Sequence, residues 1–384
     1  MIFVLRILLK TRWLGLQTAD KTVSLNMSPF RLLLLPFCLA YGFIVWIRNK
    51  LFDWGLIRSV SYPVPLISVG NISTGGTGKT PHVEYLVEHL QKDFRVAVLS
   101  RGYKRKTRGF VLARPDNLAI DIGDEPLQIS RKFPDIIVAV HERRRKGIRQ
   151  ILKLHPEVNL IILDDGFQHR FVKPGLNLVL TEYYKPFFKN FLLPCGSLRE
   201  HKKSINRAHA LIVTKTPQVF SPLDRGYFMK KLEKFKTEKV FFSRIHYEDW
   251  EPLTPDTPKE CGSAKTILLY SGIANTSALE EYLKRNCEEL IVKRFPDHHQ
   301  FTVRDLQELR KTFNDTFSRS KAIVVTEKDA MRLNCAGLLK ELKGLPIYYI
   351  PIKVRFQNHD QEEFAKLVRA YLSAHQFFST PPKK

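Results

Sequence analysis

Binding a chain of phosphates takes backbone N–H donors, a cation and a metal-ligating hydroxyl close together, and residues 73–80 supply all of them. The run is Ser73-Thr74-Gly75-Gly76-Thr77-Gly78-Lys79-Thr80. It follows the pattern G-x-x-x-x-G-K-[ST], with Ser73 standing at the first glycine position. Glycines let backbone amides approach phosphate oxygens with no Cβ in the way. A helix beginning at Thr80 or Pro81 adds favourable partial charge at its N-terminus. Lys79 is expected to reach the terminal phosphates and Thr80 to ligate magnesium. The run therefore reads as a nucleotide-phosphate cradle.

Asp164-Asp165 closes the apolar run Leu160-Ile161-Ile162-Leu163. A carboxylate at such a strand end suits magnesium, and neighbouring side chains point differently, so the two need not both bind it. A surface turn, Asp-Asp-Gly, is the plainer reading. Gly123-Asp124-Glu125-Pro126 reads by pattern alone as an acidic turn. His298-His299 suits metal, acid–base or structural work. Arg143-Arg144-Arg145-Lys146 fits a solvated helix face or an anion site equally well.

The elements that must hold these groups follow from patterning. Pro65–Val69, Arg95–Ser100, Asp135–Val140, Leu160–Leu163, Asn177–Thr181 and Ala210–Thr214 read as buried strands separated by helical stretches. Continuous apolar strands of this kind indicate a parallel sheet covered on both faces. Ser221 to Lys239 reads as a Lys-rich helix and Val240–Ile245 as a strand. Glu251 to Lys265 is polar and Pro-rich, as in a linker. A second α/β series follows, with strands at Thr266–Tyr270, Ala322–Thr326 and Ile347–Ile350 and helices at Ser277–Arg285 and Val303–Phe313. The expected fold is α/β: a phosphate-loop lobe over 59–220, a linker region over 221–265 and a smaller α/β lobe over 266–384. The tail from Thr380 is expected to fray.

The 384 residues carry 62 Lys plus Arg against 38 Asp plus Glu, a net charge of +24. That balance calls for an anionic partner, whether nucleic acid, an acidic membrane or a phosphorylated substrate. Cys38, Cys195, Cys261, Cys287 and Cys335 are scattered without C-x-x-C spacing, which argues against zinc and disulfides and for a reducing compartment. Leu32 to Ile47 is uncharged, flanked by Arg31, Arg48 and Lys50. Sixteen helical residues reach only about 24 Å, short of the ~30 Å hydrocarbon core, and Pro36 and Gly42 are expected to interrupt them. Residues 28–58 are therefore read as an amphipathic interfacial anchor, with Tyr41, Trp46 and Trp54 at the headgroup boundary. Packing on the protein's own core is the alternative. Arg6, Lys10 and Arg12 break up the apolar stretch before it, so no signal peptide is read there, and Met27 is a candidate start.

In order along the chain, the runs ISVGNISTGGTGKTP (67–81), LSRGYKR (99–105), GDEP (123–126), LDDGFQH (163–169), LLPCGSLRE (192–200), FPDHHQF (295–301) and VTEKDAMRL (325–333) resemble the tetraacyldisaccharide 4'-kinase family. The resemblance runs from Met27 onward. It departs at Ala208-His209, where the family has an acidic residue, and within LPCGSLRE, where many members have alanine before the glycine and proline before the leucine. The resemblance implies transfer of the ATP γ-phosphate to the 4'-hydroxyl of a tetraacylated glucosamine disaccharide 1-phosphate, giving lipid IVA. It implies ATP and Mg2+ as cofactors and peripheral association with the cytoplasmic face of the inner membrane; a monomer is expected. By the same resemblance, Asp124 receives the sugar's proton while His298 orients it. Because the two lie in different lobes, they would meet only on closure. Thr80 with Asp164 or Asp165 holds magnesium, and Arg101, Tyr103, Gln168, His169 and Arg199 line the substrate or nucleotide cleft. Glu327-Lys328-Asp329 is left as a locally paired structural run.

Two other readings make different demands. A GTPase or metallochaperone needs an N-K-x-D run, and Thr214-Lys215-Thr216 lacks its asparagine and aspartate. A nucleic-acid-binding ATPase would explain the charge but not the apolar N-terminal helix, and it needs aromatic base platforms that are not evident. No nucleic-acid partner is expected.

Overall fold

The computed structural model describes residues 33–237, 239–258 and 264–376. Met27, the start of the expected anchor and the tail from Thr380 lie outside them. The described chain opens with helix α1 (Leu35–Asp53) and then alternates strands and helices. The first series is β1 (Leu66–Asn71), α2 (Lys79–Leu90), β2 (Val96–Ser100), β3 (Val111–Leu112), α3 (Ala119–Ile122), α4 (Asp124–Lys132), β4 (Ile137–Val140), α5 (Arg144–Leu154), β5 (Leu160–Asp164), β6 (Leu176–Glu182), β7 (Ala210–Thr214), α6 (Pro222–Leu232) and β8 (Lys239–Tyr247). The second is β9 (Glu251–Pro252), β10 (Thr266–Ser271), α7 (Ser277–Lys284), β11 (Glu289–Arg294), α8 (Val303–Asp315), β12 (Lys321–Thr326), α9 (Glu327–Leu333), α10 (Ala336–Leu342) and β13 (Ile347–Ile350). β14 (Ile352–Phe356) and α11 (Asp360–Gln376) end the described chain.

Two sheets result. The large one has nine strands in the order β14-β8-β7-β6-β1-β5-β2-β4-β3, and the small one five, in the order β11-β10-β12-β13-β9. All interior pairings are parallel; β3, β14 and β9 join their sheets antiparallel, each at an edge. Both faces of the large sheet are covered. Ile67 and Val69 of β1 pack with Val83, Leu86 and Val87 of α2, while Leu66 packs on the opposite side with Ile148 and Ile151 of α5.

The lobe boundaries differ from those read in the sequence. The stretch taken as linker over 221–265 contains β8, an interior strand of the large sheet, because Phe241 and Phe242 are buried there. The last stretch, taken as part of the second lobe, returns to the first: β14 pairs with β8, and Phe364, Val368 and Leu372 of α11 join the core that holds α2. The chain thus crosses between lobes twice, after β8 and before β14. The crossings are tied together where Glu248 N donates to Pro351 O at 2.9 Å. The helix expected through Lys239 stops at Leu232.

Nor do Pro36 and Gly42 interrupt α1. Pro36 sits in the first turn, where no N–H is needed. Gly42 lets the helix approach Leu192, whose Cδ1 would lie 2.9 Å from an added Cβ. Among the described residues no helix is long and apolar enough to cross a membrane.

Candidate active site

β1 delivers Asn71 to the base of the glycine loop, where its Nδ2 donates to Thr77 Oγ1 at 2.8 Å. Thr214 Oγ1 donates to Thr77 O at 2.9 Å and Lys215 Nζ to Gly76 O at 2.5 Å. The poor guanine-motif echo at 214–216 thus braces the phosphate loop. Positive φ falls at Gly75 (106°) and Gly78 (88°), so Ser73 meets no demand for glycine. Ser73 instead pairs with Leu198, and Thr74 N donates to Ser197 O at 2.7 Å. A Cβ on Gly75 or Gly76 would find no atom within 4 Å, so the cradle is open on its phosphate side.

Asp164 and Asp165 do different things, and neither sits on a free surface turn. Asp164 is 1% exposed; its Oδ2 accepts from Ser100 Oγ at 3.0 Å, while its buried Oδ1 has no partner among the described residues. Burial, with Glu125 and Asp165 nearby, pushes its carboxyl up to about 6. Arg144 Nη2 holds the Asp164 carbonyl at 2.8 Å, so this member of the basic run faces inward. Asp165 adopts φ 50° and meets Lys79 Nζ at 3.5 Å and Arg199 Nη1 at 3.1 Å. Burial raises its pKa, but those two cations outweigh it and hold the carboxyl low. An orphaned buried carboxylate oxygen beside Lys79 is what a divalent cation would satisfy. Among the described residues no cluster of three or more His, Cys, Asp or Glu forms a metal cage, and magnesium held mainly through phosphates needs none.

Asp124 is the first residue of α4 and is 5% exposed. Its Oδ2 lies 2.9 Å from His298 Nδ1, on the loop after β11. His298 is presented with φ 60°, a conformation costly for a non-glycine residue and tolerated here at the lobe interface. Arg332 of α9 donates to the same Oδ2 from Nε (3.2 Å) and Nη2 (2.7 Å). Burial raises the Asp124 pKa, but the His298 hydrogen bond and the Lys328 and Arg332 charges outweigh it and hold the carboxyl far below the usual range. Lys328 also bonds Glu125, and Lys132 of α4 bridges Glu84 of α2 (2.8 Å) and Glu327 of α9 (3.3 Å). The run 327–329 therefore pairs across the lobes as well as locally. His299 is structural, with Nε2 3.0 Å from Asp305 Oδ2 beside the Thr302 cap of α8.

The profile of the tetraacyldisaccharide-1-P 4'-kinase family matches residues 30–373. The tetraacyldisaccharide 4'-kinase of Phocaeicola vulgatus is 44% identical over 353 residues, covering 90% of this chain and 96% of its own. That of Bacteroides thetaiotaomicron is 42% identical over 351 residues, covering 88% and 92%. The solved structure of LpxK from Aquifex aeolicus in complex with ATP is 29% identical with a TM-score of 0.68, covering 89% of this chain and 99% of that one. The chain belongs to the tetraacyldisaccharide-1-P 4'-kinase family.

The other residues that the resemblance to the 4'-kinase family singles out surround this centre. Tyr103 sets its ring edge-on to His298, centroids 5.2 Å apart. Arg101 and Tyr103 line a basic cavity of about 510 Å³ with Lys104, Arg105 and Arg108. Gln168 binds the Asn71 carbonyl through its side chain, and its own carbonyl accepts from Arg48 of α1 at 2.8 Å. His169 is pushed down to about 4 by burial and by the nearby Arg144 charge. The Arg199 carbonyl accepts from Tyr41 Oη of α1 at 2.9 Å. What sequence reasoning missed is Arg332, together with the Glu84–Lys132–Glu327 contact. VTEKDAMRL contains Arg332, but nothing local marks it as a partner of Asp124.

Proposed function

We propose that this 4'-kinase family member transfers the γ-phosphate of ATP to the 4'-hydroxyl of a tetraacylated glucosamine disaccharide 1-phosphate, forming lipid IVA for lipid A biosynthesis. The observation that carries the reading is the Asp124–His298 contact, made across the lobes in a chain whose phosphate loop is complete from Gly75 to Thr80. Phosphoryl transfer asks mainly for in-line placement and charge neutralisation. Lys79 and the loop amides hold the β- and γ-phosphates. Lys79 exchanges its contact with Asp165 for phosphate oxygens, and Arg199 then keeps Asp165 paired. Thr80 and Asp164 would hold magnesium, which neutralises phosphate charge when bound; the orphan Asp164 Oδ1 supports that choice over Asp165. Asp124 stays ionised and accepts the 4'-hydroxyl proton as the new O–P bond forms and the bond from the γ-phosphorus to the bridging oxygen breaks, with ADP leaving. His298 donates to its other oxygen and fixes its direction.

Membrane contact is the remaining part of the proposal. Phe37, Leu39, Phe43 and Ile44 are each at least 60% exposed, while Tyr41, Arg48 and Asn49 of the same helix brace the active-site segments. α1 then lies on the cytoplasmic face of the inner membrane as a peripheral anchor, with the basic surface toward acidic lipid. One chain supplies both halves of the catalytic pair, so a monomer suffices.

The test is radiolabelled ATP with the disaccharide 1-phosphate in detergent micelles. Labelled lipid whose formation requires Lys79 is expected. ATP binding without any label in lipid would overturn the assignment.

A further inference from the structure

The Asp124–His298 pair has a third buried partner. The Arg332 side chain is 1% exposed and spends every guanidinium nitrogen on the catalytic pair or its supports. Nε and Nη2 take Asp124 Oδ2, while Nη1 donates to Gly272 O at 2.9 Å and Asp329 Oδ1 at 2.8 Å. Gly272 O also accepts from His298 N at 3.0 Å, and Gly272 N donates to Asp329 Oδ1 at 3.1 Å. One rigid fork thus holds the carboxylate of the first lobe and the turn that presents the histidine of the second. Its effect on Asp124 is lopsided. Oδ2 receives His298 Nδ1 and both Arg332 nitrogens, whereas Oδ1 receives, among the described residues, only the Glu125 amide at 3.2 Å.

We propose that Arg332 is a positioning residue for phosphoryl transfer: it saturates Asp124 Oδ2 so that Oδ1 alone is reserved for the acceptor hydroxyl. The role rests on Asp124 being the acceptor-side group. Arginine suits it because the planar guanidinium presents two parallel donors to one carboxylate and a third elsewhere, which an ammonium cannot do. Arg332 acts through Asp124 and touches no phosphate, so its loss should be felt in kcat and not in KM.

The experiment combines Arg332→Gln, Arg332→Lys and Asp124→Asn, singly and in pairs, in the labelled-lipid assay. With Asp124 present, Arg332→Gln is expected to lower kcat on the order of 100-fold, the penalty of a misplaced reacting group, with both KM values within about twofold of wild type. Arg332→Lys should lose less, because charge survives and only the fork is lost. In the Asp124→Asn background neither change should cost more than about twofold. If Arg332→Gln fails to fold, as judged by its melt with ATP, the Lys variant carries the same comparison. Equal losses in both backgrounds, or a rise in KM with kcat intact, would overturn the proposal and leave the Asp124 reading standing. Wild-type turnover in Asp124→Asn alone would sink both.

Discussion

Lys79 and Asp164 make separable demands at the residue scale. Replacing Lys79 with alanine removes the lysine that closes the loop sequence, and kcat should drop by about 10²–10³-fold, read as label transferred to lipid. Asp164 should impose a metal-dependent acid limit. Its carboxyl is pushed up to about 6, so below that pH it is increasingly protonated and a poorer magnesium ligand. At limiting magnesium, activity should fall as pH drops through about 6, and at saturating magnesium the midpoint should move lower. A midpoint that ignores magnesium would remove Asp164 from the metal site. The two residues also show what sequence can reveal. The phosphate loop was legible because its chemistry is local. Asp124 was legible only by family resemblance, since its partners lie 174 and 208 residues away, and Arg332 was not legible at all.

Elements carry the next set of forces. The apolar strands declared themselves through continuous burial, but β11 did not, because its ends are Glu289 and Arg294 and it forms a half-covered edge. On α1, replacing Phe37, Leu39, Phe43 and Ile44 with serine should abolish co-sedimentation with anionic vesicles while ATP binding stays intact. Retained sedimentation would place membrane contact elsewhere. Helices α2, α4 and α9 meet at Glu84, Lys132 and Glu327, where burial, with Glu327 beside it, pushes Glu84 up from 4.5 to about 7 against the pull of Lys132. An acid whose pKa is raised by folding favours the folded state at low pH and opposes it as pH climbs through that raised value. Glu84→Gln cannot ionise. Its stability relative to wild type should therefore improve between about pH 5 and about pH 8, measured by urea melts. A flat or opposite trend would mean that Lys132 controls the site.

For the whole molecule, the return of β14 and α11 decides what can be cut away. Ending the chain at Pro351 removes Val354, Phe356, Phe364, Val368 and Leu372 from the core beneath α2. At about 1.5–3 kcal/mol for each buried side chain, that loss rivals the 5–15 kcal/mol that hold a typical domain together. The truncated chain should be insoluble or fail to bind ATP. A soluble, nucleotide-binding fragment would refute this account of the first lobe.

The double crossing at Glu248 and Pro351 also restricts how the halves can travel. A single tether permits swivel, twist and drift. Two adjacent tethers joined by a hydrogen bond behave like a strap hinge, leaving mainly one bending coordinate. His298 and Arg332 stand against Asp124 in this arrangement, so their register depends on the way the chain is threaded as well as on their own contacts.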